Sequence, residues 1–139
     1  MSSRVVFDVN ILVSAVFAPG GTPVRAIAAA VEGRWTIARS PHIVDKFNEV
    51  LSRPRFDNLI ANYDLNTFTT GYRAVSKEFT PDPSVAGVAD DAEDDAVLGT
   101  AVAARADVIV TGDRGMLAIR VCRGIPIITA WEFLVLIDA

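Results

Sequence analysis

Cysteine is nearly missing from this chain. Cys122 stands alone, which excludes an internal disulfide and a thiolate-held metal cluster. A reducing, cytoplasmic setting is expected from that. Apolar runs of the ~18–20 residues that a membrane span needs are also missing. The opening stretch "MSSRVVFD" enters a strand at once, so no signal peptide is expected. Neither an internal repeat nor a low-complexity linker interrupts the sequence. Positive charge is in short supply too. The net charge is −4 and the pI about 4.9, against the basic surface of a dedicated nucleic-acid-binding protein. A metal-dependent nuclease stays open, because it needs acids and because bound cations reverse the local sign.

What is present is largely apolar. Hydrophobic residues make up 51% of the 139 residues and mean hydropathy is +0.35, which suits one domain over residues 1–139 with a sizeable core. The pattern predicts a strand over residues 4–8, then an apolar helix in "NILVSAVF" that ends at "APGG". A second helix follows, with Thr22 as N-cap, Pro23 at the first helical position and Gly33 as stop. "WTIA", 35–38, reads as a short strand. Ser40 starts a third helix whose apolar stripe is Ile43, Phe47, Val50 and Leu51, and "RPRF" interrupts it. Residues 57–78 read as one or two helices, with Leu65, Phe68, Tyr72 and Val75 at helical spacing. Residues 80–90 form a loop with a short strand around Val85–Val88. "EDDAVLGTAVAARA" is a small-residue helix, "DVIVTGD" a strand and turn, "RGMLAI" a short helix and "IPIIT" a last strand. Thr129 caps the closing helix "AWEFLVLI".

Strands that are continuous apolar runs, alternating with helices, predict a mostly parallel sheet with helices on both faces. Ligands in such α/β sheets sit beyond the carboxyl ends of the strands, where the strand order reverses.

Acids gather at that edge. Asp8 ends the first strand, and a carboxylate beside a core costs several kcal/mol unless something pairs with it. Asp113 lies just past "VIV". Five of the 17 acids fall in "DDAEDD", residues 90–95, which places Asp91, Asp94 and Asp95 at a helix start. Each has a plainer reading as a helix cap, an Asx-turn or a partner of the helix dipole. Together they repel one another, and a hard cation removes the conflict. Mg²⁺ or Mn²⁺ takes oxygen ligands and keeps waters. Two such ions ~3.5–4 Å apart can activate a water and stabilise the leaving oxygen of a phosphodiester.

"VVFDVNILVSA" resembles the first motif of the PIN-domain family, with Asp8, Asn10 and Ser14 on its marked positions. "SPHIVDKFNEVLSRPRF", 40–56, is similar to the second segment. "DDAEDDAVLGTA" and "ADVIVTGDRGML" are similar to the third and fourth, with Thr111 and Asp113 on the "TGD" turn. The subgroup resembled comprises toxins of toxin–antitoxin pairs. The resemblance implies a PIN-like three-layer fold and a Mg²⁺- or Mn²⁺-dependent ribonuclease. It also implies a homodimer and a small antitoxin that inhibits it. Asp8, Asp94 or Asp95, and Asp113 would hold metal or position the attacking water, with Asn10 and Thr111 orienting those carboxylates. One position departs: six residues after Ser40 the family has Glu, and here stands Lys46. Glu49, one turn on, either substitutes for that acid or pairs with Lys46.

The remaining candidates are read as follows. His42, the only histidine, is expected at the surface. Arg53 and Arg55 contact phosphates or are solvated. Trp35 and Trp131 are core or dimer contacts. The leading function is endoribonuclease. Its rival is a catalytically impaired protein of the same fold that binds a partner, because of Lys46. A phospho-accepting receiver domain expects a Lys after a late strand, where "IPIITAWE" has none. A haloacid-type phosphatase expects Asp at position 10, where Asn stands.

Overall fold

The computed structural model describes residues 2–60 and 65–138, with the backbone alone at Leu59 and Ile60. Residues 61–64, inside the stretch expected to be helical, lie outside the described residues. The first half runs β1 (Arg4–Phe7), α1 (Val9–Phe17), α2 (Thr22–Glu32), β2 (Thr36–Arg39), α3 (Pro41–Leu51), a 3₁₀ turn at Pro54–Phe56, α4 (Asp57–Ile60) and α5 (Leu65–Ala74). The second half runs β3 (Ser76–Glu78), α6 (Ala92–Ala104), β4 (Val108–Val110), α7 (Arg114–Ile119), β5 (Val121–Cys122), β6 (Ile125–Ile128) and α8 (Ala130–Asp138).

The strands form one sheet in the order β3-β2-β1-β4-β6-β5. All neighbours pair parallel except β5, which pairs antiparallel with β6. The result is the expected mostly parallel α/β sheet. β1 and β4 hold its centre, and Val5, Val6, Phe7, Ile109 and Val110 are fully buried there. α6 lies along β1, β2 and β4 and meets α3. α2 and α8 pack on each other, with Phe133 of α8 in edge-to-face contact with Phe7 at 5.7 Å and with Trp35 at 5.1 Å. The strand order reverses between β1 and β4, so the crevice beyond their carboxyl ends is the switch point.

Several local expectations need correction. Thr22 is not the N-cap but the first helical residue. The chain turns one position earlier at Gly21, which offers no side-chain cap. Val75–Glu78 does not continue a helix, because Ser76–Glu78 pairs with β2 as an edge strand. The Arg39 guanidinium secures it, donating from Nη1 to the Ser76 carbonyl at 2.6 Å. No strand forms at Val85–Val88, because the amides of Gly87, Val88 and Ala89 are taken by the Asp95 carboxylate rather than by a ladder. Thr129 does cap α8. Its Oγ1 accepts from the Glu132 amide at 3.1 Å, and Glu132 accepts in return from the Thr129 amide at 3.0 Å. Among the described residues, no single helix is long and apolar enough to cross a membrane.

Candidate active site

Asp8 is 5% exposed and sits between β1 and α1. As N-cap of α1 it accepts from the Val9 amide through Oδ1 at 2.7 Å. Its Oδ2 accepts from the Thr111 hydroxyl at 2.7 Å. Burial raises its pKa above the usual carboxylate range. The bonds from Thr111 and Val9 oppose that, and the Asp113 charge adds to it.

The β4 end mirrors this. Thr111 is fully buried, and besides donating to Asp8 it accepts from the Asp113 amide at 3.0 Å. Asp113 caps α7 by accepting from the Met116 amide at 2.8 Å. Asn10, on the first turn of α1, accepts from the Gly112 amide at 3.1 Å, and its amide nitrogen lies 3.5 Å from the Thr111 hydroxyl. Asn10 and Thr111 thus lace the ends of β1 and β4 together. Ser14, one turn further along α1, is exposed on the same cleft.

The α6 start divides its acids between two tasks. Asp91 is the N-cap, accepting from the Glu93 amide at 2.9 Å, and it lines the cleft. Asp94 lines it as well, beside Asp8 and Asp113. Its pKa is pushed up to about 6, first by desolvation and then by the charges of Asp8, Asp113, Asp91 and Glu93. Asp95 does not join them. Its carboxylate accepts from the amides of Gly87 at 2.8 Å, Val88 at 3.1 Å and Ala89 at 2.7 Å, which hold its pKa down. It anchors a loop, one helical step of 100° away from the cleft.

Lys46 sits on α3 facing this cleft. Its Nζ pairs with Glu93 at 2.7 Å and with Glu49 at 3.2 Å, and the bond to Glu93 raises its pKa. Glu49 in turn pairs with Arg53 at 3.1 Å. Arg53, and then Lys46, hold its carboxylate below the usual range. Glu49 is therefore a partner for two cations rather than a cleft carboxylate. Glu93 was the residue the sequence reading missed: the i, i+3 spacing of Lys46 and Glu49 is local, whereas the stronger Lys46–Glu93 contact crosses from α3 to α6. His42 is not at the surface as expected. It lines the cleft half-buried, and its Nε2 is enclosed without a hydrogen-bond partner among the described residues. Trp35 is half-buried against Phe133, whereas Trp131 is 61% exposed and so is no core contact.

The cleft measures about 460 Å³. Among the described residues, no Lys or Arg pairs with Asp8, Asp94 or Asp113. Nor does any group of three or more acids, histidines or cysteines close into a ready-made metal cage. The donors are hard oxygens, and at Asp94 the charges of Asp8 and Asp113 add to the desolvation that disfavours its ionised form. Mg²⁺ commonly binds through one or two carboxylates, keeping waters and meeting phosphates of the substrate. The residues present fit an open site of that kind.

The fold has relatives among solved structures. VapBC2 from Rickettsia felis, bound to a DNA fragment from its promoter, superposes with a TM-score of 0.62 at 11% identity, over 91% of this chain and 98% of that one. PAE2754 from Pyrobaculum aerophilum does so with a TM-score of 0.62 at 16% identity, over 98% and 90%. No curated protein sequence matches the chain. The sequence model of the PIN domain matches residues 4–115, which is most of the chain and takes in every cleft residue described above; the protein belongs to the PIN-domain family.

Proposed function

We propose that the protein is a metal-dependent endoribonuclease and the toxin of a toxin–antitoxin pair. The observation that carries this reading is the convergence of Asp8, Asp94 and Asp113 on one cleft with no protein cation paired to them. These three would hold Mg²⁺ or Mn²⁺. Bound there, the ion supplies Lewis acidity toward a phosphodiester oxygen and lowers the pKa of a water. The chain's own residues orient and move protons. Thr111 and the Val9 amide fix both oxygens of Asp8, so its carboxylate cannot turn. Asp94, on α6 at the same cleft, would take the proton of the attacking water when it is not itself on the ion. The water oxygen bonds to phosphorus as the ester bond breaks, and the leaving oxygen collects a proton from solvent.

A small antitoxin partner is read from the likeness to the VapBC2 structure. A homodimer and a cytoplasmic setting belong to the same reading. Trp131, Val135 and Leu136 on α8 expose an apolar face suited to association.

One observation favours the rival partner-binding protein: Lys46 is strapped across the cleft by Glu93 and Glu49. RNA cleavage in Mn²⁺ by the native protein, Asp8→Asn and Lys46→Glu separates the two. The nuclease reading expects cleavage by the native protein and its loss in Asp8→Asn. A silent native protein whose activity appears in Lys46→Glu would establish the rival.

A further inference from the structure

Lys46, Glu49 and Arg53 follow one another at helical spacing, the first two on α3 and the third just past its end. They form a chain of contacts that ends on another element. Arg53 meets Glu49 at 3.1 Å, and Glu49 meets Lys46 at 3.2 Å. Lys46 in turn meets Glu93, on the first turn of α6, at 2.7 Å. Among the described residues, the acids that line the cleft are Asp8, Asp91, Glu93, Asp94 and Asp113. Of these, only Glu93 is held by a protein cation, and that ammonium is the one group its carboxylate meets. Asp94 follows Glu93 directly in the sequence and shares the cleft with Asp8 and Asp113.

We propose that Glu93 is a further carboxylate for the divalent ion and that Lys46 competes with the ion for it, so that this bridge sets the affinity of the site. The proposal rests on the nuclease reading for the ion itself. Four features carry it. The bridge is open to water, with the Lys46 side chain 23% and that of Glu93 45% exposed, and solvent-screened bridges are weak. At equal distance a divalent charge attracts Glu93 twice as strongly as one ammonium does. Lys46 keeps Glu49 when Glu93 leaves, so no charge is stranded. The helices do not part either, because the Ser40–Thr100 hydrogen bond joins α3 to α6 at 2.9 Å independently of the bridge. Lys46 therefore lowers the affinity for the ion without closing the site.

The test is calorimetric titration with Mn²⁺ of the native protein, Lys46→Met, Glu93→Gln and the double variant. Lys46→Met keeps an apolar stem and removes the charge. It is expected to bind Mn²⁺ about fivefold more tightly than the native protein, which corresponds to the upper end for an exposed bridge. Glu93→Gln is expected to bind it more weakly than the native protein. In the Glu93→Gln background, adding Lys46→Met is expected to change the affinity by less than about twofold, because Glu49 still neutralises Lys46 there. Both side chains reach solvent, so the variants keep the fold, which Tm in EDTA checks. Equal tightening in both backgrounds overturns the proposal, because a charge acting at a distance needs no Glu93. Unchanged affinity in Lys46→Met overturns it as well. Failure of the nuclease reading looks different: the coupled affinities appear, and the native protein cleaves no RNA in Mn²⁺. Absence of Mn²⁺ uptake from all four proteins overturns both.

Discussion

At the scale of single residues, the cleft separates acids that share a short stretch of sequence. Asp8 and Asp113 were legible because Asp8 follows β1 directly and Asp113 ends the short turn after β4, and a carboxylate at either place must lie at the sheet's carboxyl edge. Asp94 and Asp95 were not separable by sequence, since adjacent helical residues differ only in phase and the loop that claims Asp95 had no recognisable pattern. Their pH behaviour should be opposite. The folded-state pKa of Asp94 is raised, so in metal-free protein its contribution lowers stability as pH rises from about 4 through about 6. Asp94→Asn should flatten that fall, read from Tm against pH in EDTA. Asp95 has a depressed pKa, so its stabilisation is present above the unfolded value and lost as pH falls through the folded one. Asp95→Asn should lose its advantage at neutral pH, whereas at strongly acidic pH it should match the native protein. A variant equally destabilised at every pH would show that the three loop amides do not prefer the charged form.

At the scale of elements, packing details explain choices that propensity alone does not. Gly99 sits inside α6, where a helix ordinarily avoids glycine. A Cβ there would stand 2.8 Å from the Asp82 carbonyl oxygen, because the backbone of the loop before α6 lies directly on the helix and bonds to it. Gly99→Ala should therefore destabilise by about 1–3 kcal/mol despite its better helix propensity, as measured by urea denaturation. No loss would mean that the loop shifts freely. Ser40 shows a cap recruited to a second purpose. It caps α3 from a fully buried position, and its Oγ lies 2.9 Å from the Thr100 hydroxyl of α6. The two helices that carry Lys46 and Glu93 are thereby fixed to one another. The caps at Ser40 and Thr129 were readable because they depend on neighbours three residues on. β3 and β5 were not, since three and two residues carry no period and their pairing is decided by partners far along the chain.

At the scale of the whole molecule, the alternation of apolar strands and helices was enough to place a parallel sheet and a crevice at its carboxyl edge. The strand order, and with it the junction of β1 with β4, needed the structure. That junction makes a global measurement informative about the site. A divalent ion that binds only the folded protein adds about 2.7 kcal/mol at a hundredfold excess over its Kd. Mn²⁺ should raise the Tm of the native protein and leave that of Asp8→Asn nearly unmoved. An equal rise in both would remove Asp8 from the metal site.

The double duty of Asp8 has an evolutionary consequence. Its carboxylate caps α1 and is buried against its own preference for water. Asparagine caps a helix about as well and carries no charge. Asp8→Asn removes a buried charge but sets an amide N–H against the Thr111 hydroxyl, so in the metal-free state it should hold close to the native Tm, with that hydroxyl turned to accept. Stability alone would let this position become asparagine, and only a use for the charge pushes back. A lineage that kept the fold merely to grip a partner would be free to drift there by one conservative exchange. Position 8 is where such a change of occupation would register first.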